Sequence, residues 1–149
     1  MTEILFYHLE HSSLETVLPG LLEKTLKRKW KAVVKAASPA QVEALDEHLW
    51  TYTDQSFLPH GAGGDGTEQP IWLSEQDDCP NAADILFLVG GAAAEIGQLD
   101  QFTRCVTIFD GRNDDAVSAA RQFWKSAKEC GHETTYWKQS SEGRWEKQG

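Results

Sequence analysis

A chain of 149 residues, 40% of them hydrophobic and 25% charged, can bury one core and is read as a single domain over 1–149. Its net charge of −9 disfavours a protein whose main task is gripping nucleic-acid phosphates, because such affinity comes from many Lys and Arg contacts; a local basic patch stays open. No apolar run reaches the roughly 18 residues of a membrane span, and Cys79, Cys105 and Cys130 form no CxxC pair, so with no secretory leader in view a reduced, cytoplasmic setting is expected.

Residues 3–9, EILFYHL, are a short apolar and aromatic run bounded by polar residues and read as a buried strand. Ser12 or Ser13 can cap the next segment, where Leu14, Val17, Leu18, Leu21, Leu22 and Leu26 recur at helical spacing. Glu15 suits the first turn of that helix, and Pro19 falls early enough to be tolerated. The helix ends in Lys24, Lys27, Arg28, Lys29, Trp30 and Lys31. Cations there complement the helix dipole; the other reading is that some of them line a site for an acidic ligand.

Residues 32–37, AVVKAA, read as a second buried strand. Ser38-Pro39 then supplies a cap and a first-turn proline for a helix over 39–52, with Val42, Leu45 and Leu49 inward. The stretch from Leu45 to Gly66 passes from the end of this helix into a glycine-rich loop, with Trp50, Phe57, Leu58 and Pro59 close together in it. Large apolar groups gathered on loops read as a contact surface. Further strands are expected at 71–73, at 84–89 (the most apolar run), at 105–109 and at 134–137. Ala92 to Gln101 is alanine-rich and helix-like despite Gly97. A last helix, capped by Asn113 or Asp114, runs to about Gly131 with Ala116, Ala120, Phe123, Ala127 and Cys130 inward. From about residue 139 to 149 the chain is polar and reads as a frayed tail. Strands alternating with helices imply an α/β, three-layer, Rossmann-like fold with a mostly parallel sheet and helices on both faces.

The candidate chemical motifs are weak. Gly61–Gly66 fits GxGxxG, but Pro70 and the following strand leave no room for the helix that would face a pyrophosphate. Gly90-Gly91 stands at a better topological position, yet lacks the Lys-Ser/Thr of a phosphate loop and is followed by Glu95 and Asp100. It is read as a strand terminator, and a nucleotide-binding protein or enzyme using Gly90-Gly91 is kept as the alternative. His8, His11, His48, His60 and His132 lack metal-ligand spacing, and no nucleophile elbow is present; no metal, cofactor or catalytic residue is nominated. The last helix says more. Arg121, Lys125 and Lys128 lie at i, i+4 and i+7, with Trp124 beside them. In so acidic a chain this is a local positive pocket with an apolar wall, suited to a short acidic peptide ending in an aromatic or a carboxylate.

LDEHLW at 45–50, SFLPHGAGGDG at 56–66 and ARQFWKSAKECGHETTYWKQ at 120–139 together resemble the chi subunit family of bacterial DNA polymerase III holoenzyme. The resemblance implies a non-enzymatic, Rossmann-like protein without a nucleotide site. It implies one surface for the psi subunit or another clamp-loader component, mapping to Trp50, Phe57, Leu58, Pro59 and His60. It implies a second surface for the acidic C-terminal tail of single-stranded DNA-binding protein, mapping to Arg121, Trp124, Lys125 and Lys128. Val117 stands where the family can carry a Lys, and Asp110 where it has an apolar residue. Such an adaptor would meet nucleic acid only indirectly; direct binding of single-stranded DNA through Trp and Lys residues is a third reading, which the overall charge opposes.

Overall fold

A computed structural model describes residues 2–10, 12–51, 70–75, 81–92, 94, 99, 101–140, 142 and 144–147, the side chains of 50 and 51 excepted. Alternation in the first strand, β1 (Glu3–Leu9), sets the architecture. Ile4 and Phe6 belong to one apolar cluster and Leu5 and Leu9 to another, all of them buried. A strand apolar on both sides needs a layer of structure over each face.

The other elements are α1 (Leu14–Lys27), β2 (Ala32–Lys35), α2 (Pro39–Thr51), β3 (Ile71–Ser74), β4 (Ile85–Leu88), β5 (Arg104–Asp110), α3 (Asp114–Glu129), β6 (Glu133–Gln139) and β7 (Trp145–Lys147). The strands form one seven-stranded sheet in the order β3-β2-β4-β5-β1-β6-β7, parallel throughout except where β7 pairs antiparallel with β6. Leu18 and Leu22 of α1 and Val42, Leu45 and Leu49 of α2 pack with Leu5, Val34 and Phe87 on one face. Ala120 and Ala127 of α3 pack with Ile4, Phe6 and Cys105 on the other, together with Leu99 and Phe102. Each fully buried leucine contributes about 1.5–3 kcal/mol relative to exposure, so this double core carries most of the stability. Three layers, a mostly parallel sheet and helices on both faces match the Rossmann-like expectation.

Local signals act as anticipated at several ends. The side chain of Asn113 caps α3 by accepting from the amides of Asp115 and Ala116 at 3.0 and 3.2 Å. Ser38 Oγ accepts from the Gln41 amide at the start of α2. Pro19 is buried inside α1, yet the helix still begins at Leu14.

Two expectations differ from what is observed, and a third lies largely beyond the described residues. The tail expected to fray holds ordered structure: β6 continues to Gln139, and β7 is held by backbone pairing and by the edge-on contact of Trp145 with Tyr7 at 5.0 Å. Cys130 is exposed rather than inward, because α3 ends at Glu129 and Cys130 caps it. The helix expected over 92–101 falls largely outside the described residues, and Leu99 and Gln101 lie in a tight 3₁₀ turn.

Candidate functional site

Two small residues let α3 approach the sheet. Ala120 and Ala127, two turns apart, are buried and leave room for larger side chains on either side. Phe123 and Trp124 straddle this line half-buried, while Arg121, Lys125 and Lys128 are exposed. The helical spacing thus places the three cations in one stripe beside Trp124, as the sequence suggests.

What holds Trp124 comes from elsewhere in the chain. Its ring meets Phe6 of β1 edge-on at 5.2 Å and Tyr136 of β6 at 5.8 Å. Phe6 and Tyr136 are direct partners in the β1–β6 register, and their rings stack at 6.1 Å. Phe123 closes on Phe6 at 5.6 Å. Above this floor the Lys128 ammonium stands 4.7 Å from the Trp124 ring centre, a cation–π contact that fixes one edge of the stripe.

Beside the floor lies a polar cluster. His8 Nδ1 and the Tyr136 hydroxyl share a hydrogen bond. Glu10 Oε1 lies 2.8 Å from His8 Nε2, within ion-pair reach but out of line for a good hydrogen bond, and 3.6 Å from Lys138 Nζ. Burial lowers the His8 pKa, with Glu10 opposing and the charges of Lys138 and Arg121 reinforcing. Burial also raises the Tyr136 pKa, against the pull of Arg121. Arg121 therefore projects its charge over this cluster, joining the exposed stripe to the buried ends of β1 and β6. Neither Arg121 nor Lys125 makes an ion pair among the described residues.

A cleft of about 660 Å³ opens at the carboxyl ends of β1, β4 and β5. Gly90 and Gly91, with φ of +62° and +90°, form one wall. The Gln41 amide donates to the Gly90 carbonyl at 3.1 Å. Glu15 and Asp110 line the cleft, and its one lining cation among the described residues, Arg112, is tied to Asp110 at 2.8 Å. That charge arrangement suits a polyphosphate poorly. Among the described residues no group of three or more His, Cys, Asp or Glu lies together as metal ligands would. No described helix is long and apolar enough to cross a membrane.

Phe57, Leu58, Pro59 and His60 lie outside the described residues, as do the Trp50 side chain and the GxGxxG segment at 61–66. The backbone of Trp50 is part of α2, whose Leu45 and Leu49 point into the core. Of the side chains anticipated for the two surfaces, only those on α3 lie among the described residues. The aromatic support from Phe6 and Tyr136 was missed in the sequence, because nothing local places β6 next to β1.

Residues 1–135 match the family model described as "DNA polymerase III chi subunit, HolC". A protein of Rickettsia prowazekii named "Probable DNA polymerase III subunit chi" is 27% identical over 111 residues, covering 73% of this chain and 66% of that relative. A Pseudomonas aeruginosa protein named "DNA polymerase III subunit chi" is 28% identical over 89 residues, covering 58% of this chain and 63% of that relative. The chain thus spans slightly under two thirds of the length of each.

Proposed function

We propose, since the chain belongs to the DNA polymerase III chi subunit family, that it is a non-catalytic replication adaptor. One surface joins the clamp loader through psi or another of its components. A second holds the acidic C-terminal tail of single-stranded DNA-binding protein. Two modest interfaces on one rigid body raise effective concentration and need no chemistry of their own.

The reading rests most on one observation: Arg121 and Lys125 are exposed, unpaired among the described residues, and set beside a half-buried Trp124. The cations suit a carboxylate and the indole edge suits an apolar side chain next to it. Calorimetric titration with an acidic tail peptide tests it. Arg121→Ala or Lys125→Ala is expected to weaken binding by about 1.5–3 kcal/mol each, the range for a hydrogen bond to a charged group. Unchanged affinity in both variants removes the site.

The cleft beside Gly90 and Gly91 favours the alternative, a doubly wound nucleotide-binding protein, by its position at the carboxyl ends of the strands. Its acidic lining counts against it. A thermal-shift screen with nucleotides separates the two, since a ligand present at 100 times its Kd stabilises by about 2.7 kcal/mol.

A further inference from the structure

The end of α1 carries a concentration of charge that the adaptor reading does not use. Residues 24–42 hold six of the chain's 14 Lys and Arg and none of its 23 Asp and Glu. Lys24, Lys27, Arg28, Lys29 and Lys31 are all exposed, and among the described residues none of these five forms an ion pair. Dipole complementation accounts for little of this. A helix C-terminus carries roughly half a negative charge, felt only within its last turn. Only Lys24 and Lys27 lie in that turn; Arg28 is the cap, and Lys29 and Lys31 lie beyond it.

The strand register gathers this segment at the amino edge of the sheet. Lys31 precedes β2, Arg104 opens β5 and Glu3 opens β1. Arg28 and Arg104 both stand over the ring of Trp30, at 5.4 and 5.3 Å from its centre. Two carboxylates at this end are engaged: Glu3 takes the Arg104 guanidinium at 2.7 Å, and Asp84 accepts from the Lys31 amide at 3.0 Å. α1 packs on the face of the sheet opposite to α3.

We propose that this patch is a second binding site, which holds a nucleic-acid phosphate backbone without reading its sequence. An acidic peptide needs an apolar anchor as well as charge. Here the central aromatic is already covered by two guanidiniums, and Leu22 is turned into the core. Closely spaced phosphates need only a dense row of mobile cations, since binding is driven by counterion release. The overall charge of −9 does not forbid it; it confines contact to this edge and keeps it weak. The site is independent of the tail surface, so either can fail while the other stands.

Fluorescence anisotropy of the full chain with labelled oligothymidylate and with a labelled duplex, over a salt series, tests the proposal. Binding at low salt is expected, with log K falling linearly against log salt. Lys27→Glu with Arg28→Glu is expected to weaken it roughly tenfold or more and, for the single strand, to flatten the slope by about 1.4, two contacts at about 0.7 each. The milder Lys24→Gln with Lys27→Gln gives a smaller loss in the same direction at an unchanged melting temperature. Arg144→Glu with Lys147→Glu makes the same change in net charge at the C-terminal strand, outside the 24–42 segment, and leaves binding in place. Binding to either oligonucleotide in this pattern supports the proposal, and the ratio between them assigns the form of nucleic acid. No binding at low salt, equal loss in the Arg144/Lys147 variant, or tighter binding to a labelled oligoglutamate of matched charge overturns it.

Discussion

The imidazole of His8 and the hydroxyl of Tyr136 hydrogen-bond at 2.5 Å across neighbouring strands, although 128 positions separate them in the chain. The contact exists because β6 lies against β1 in parallel, with Phe6 opposite Tyr136. Burial depresses the His8 pKa below the ordinary 6.5. The unfolded chain therefore binds a proton more readily than the folded one between the two values. Stability from this group is complete above about pH 6.5 and declines as the pH falls from there towards the folded value. Thermal melts at pH 7.5 and 5.5 should show a loss of melting temperature on acidification. In His8→Gln that loss should be smaller, even though the variant starts from lower stability.

Gly111 is needed for the same cluster. A Cβ added there would stand 1.9 Å from His8 Nε2 and 2.7 Å from the Leu9 carbonyl, which already accepts from the Gly111 amide at 2.7 Å. The imidazole is held by its hydrogen bond to Tyr136 and faces Glu10, so it cannot swing clear without breaking that bond. Gly111→Ala should cost about 3 kcal/mol, the upper range for forcing atoms into a packed site. Chemical denaturation would measure it, and a loss below about 0.5 kcal/mol, the scatter of ordinary surface substitutions, would show that the turn relaxes freely.

Much of this architecture was legible because it is local. A short apolar run bounded by polar residues marked β1, helical spacing marked α1 and α3, and the caps Ser38 and Asn113 marked helix starts. The cation stripe on α3 was legible for the same reason, since Arg121, Lys125 and Lys128 are set by one helical period. What escaped depends on distant neighbours. β7 has only three residues, and its apolar hold is Trp145 against Tyr7, a contact that no window of sequence contains. The aromatic floor under Trp124 needs β6 placed beside β1 before Tyr136 can meet Phe6. Cys130 followed the apolar period of α3 but fell one residue past its end, where the helical face no longer applies.

Trp145 offers a direct check on the C-terminal strand. Its ring stands edge-on to Tyr7 at 5.0 Å, and it is half-buried against the α1 side of the core. Trp145→Ala should destabilise by about 1–2 kcal/mol, less than full burial would give. Hydrogen exchange should show the amides of 145–147 losing protection while those of β1 keep theirs. Unchanged exchange and stability would mean that β7 contributes nothing to the fold.

Trp124 supports the fold and is proposed to bind ligand, and these roles can be told apart. Truncating a large aromatic in a well-packed site costs about 3–5 kcal/mol, and half-burial reduces that to about 2. Trp124→Ala should therefore melt earlier by several degrees and also lose the acidic peptide. Trp124→Phe keeps a ring against Phe6 and Tyr136 and should recover most of the stability. If it also restores peptide affinity fully, the indole serves only as packing, and the binding energy resides in the cations.

The adaptor reading requires two surfaces that fail separately. Trp50 and Phe57 stand for the proposed clamp-loader surface, Arg121 and Lys125 for the tail surface. Trp50→Ala or Phe57→Ala should abolish association with the clamp loader and leave the tail peptide bound with wild-type affinity. Arg121→Ala with Lys125→Ala should do the reverse. The tail interaction should also weaken from 0.05 to 0.3 M salt, because exposed charges are screened over roughly 10 Å at 0.1 M. The apolar surface should be nearly indifferent to the same change. Pull-down with the clamp loader and calorimetry with the peptide, run on the Trp50 and Phe57 variants and on the Arg121/Lys125 double variant, read both arms. Joint loss of both partners from any one correctly folded variant would merge the two surfaces into one and remove the physical basis for tethering.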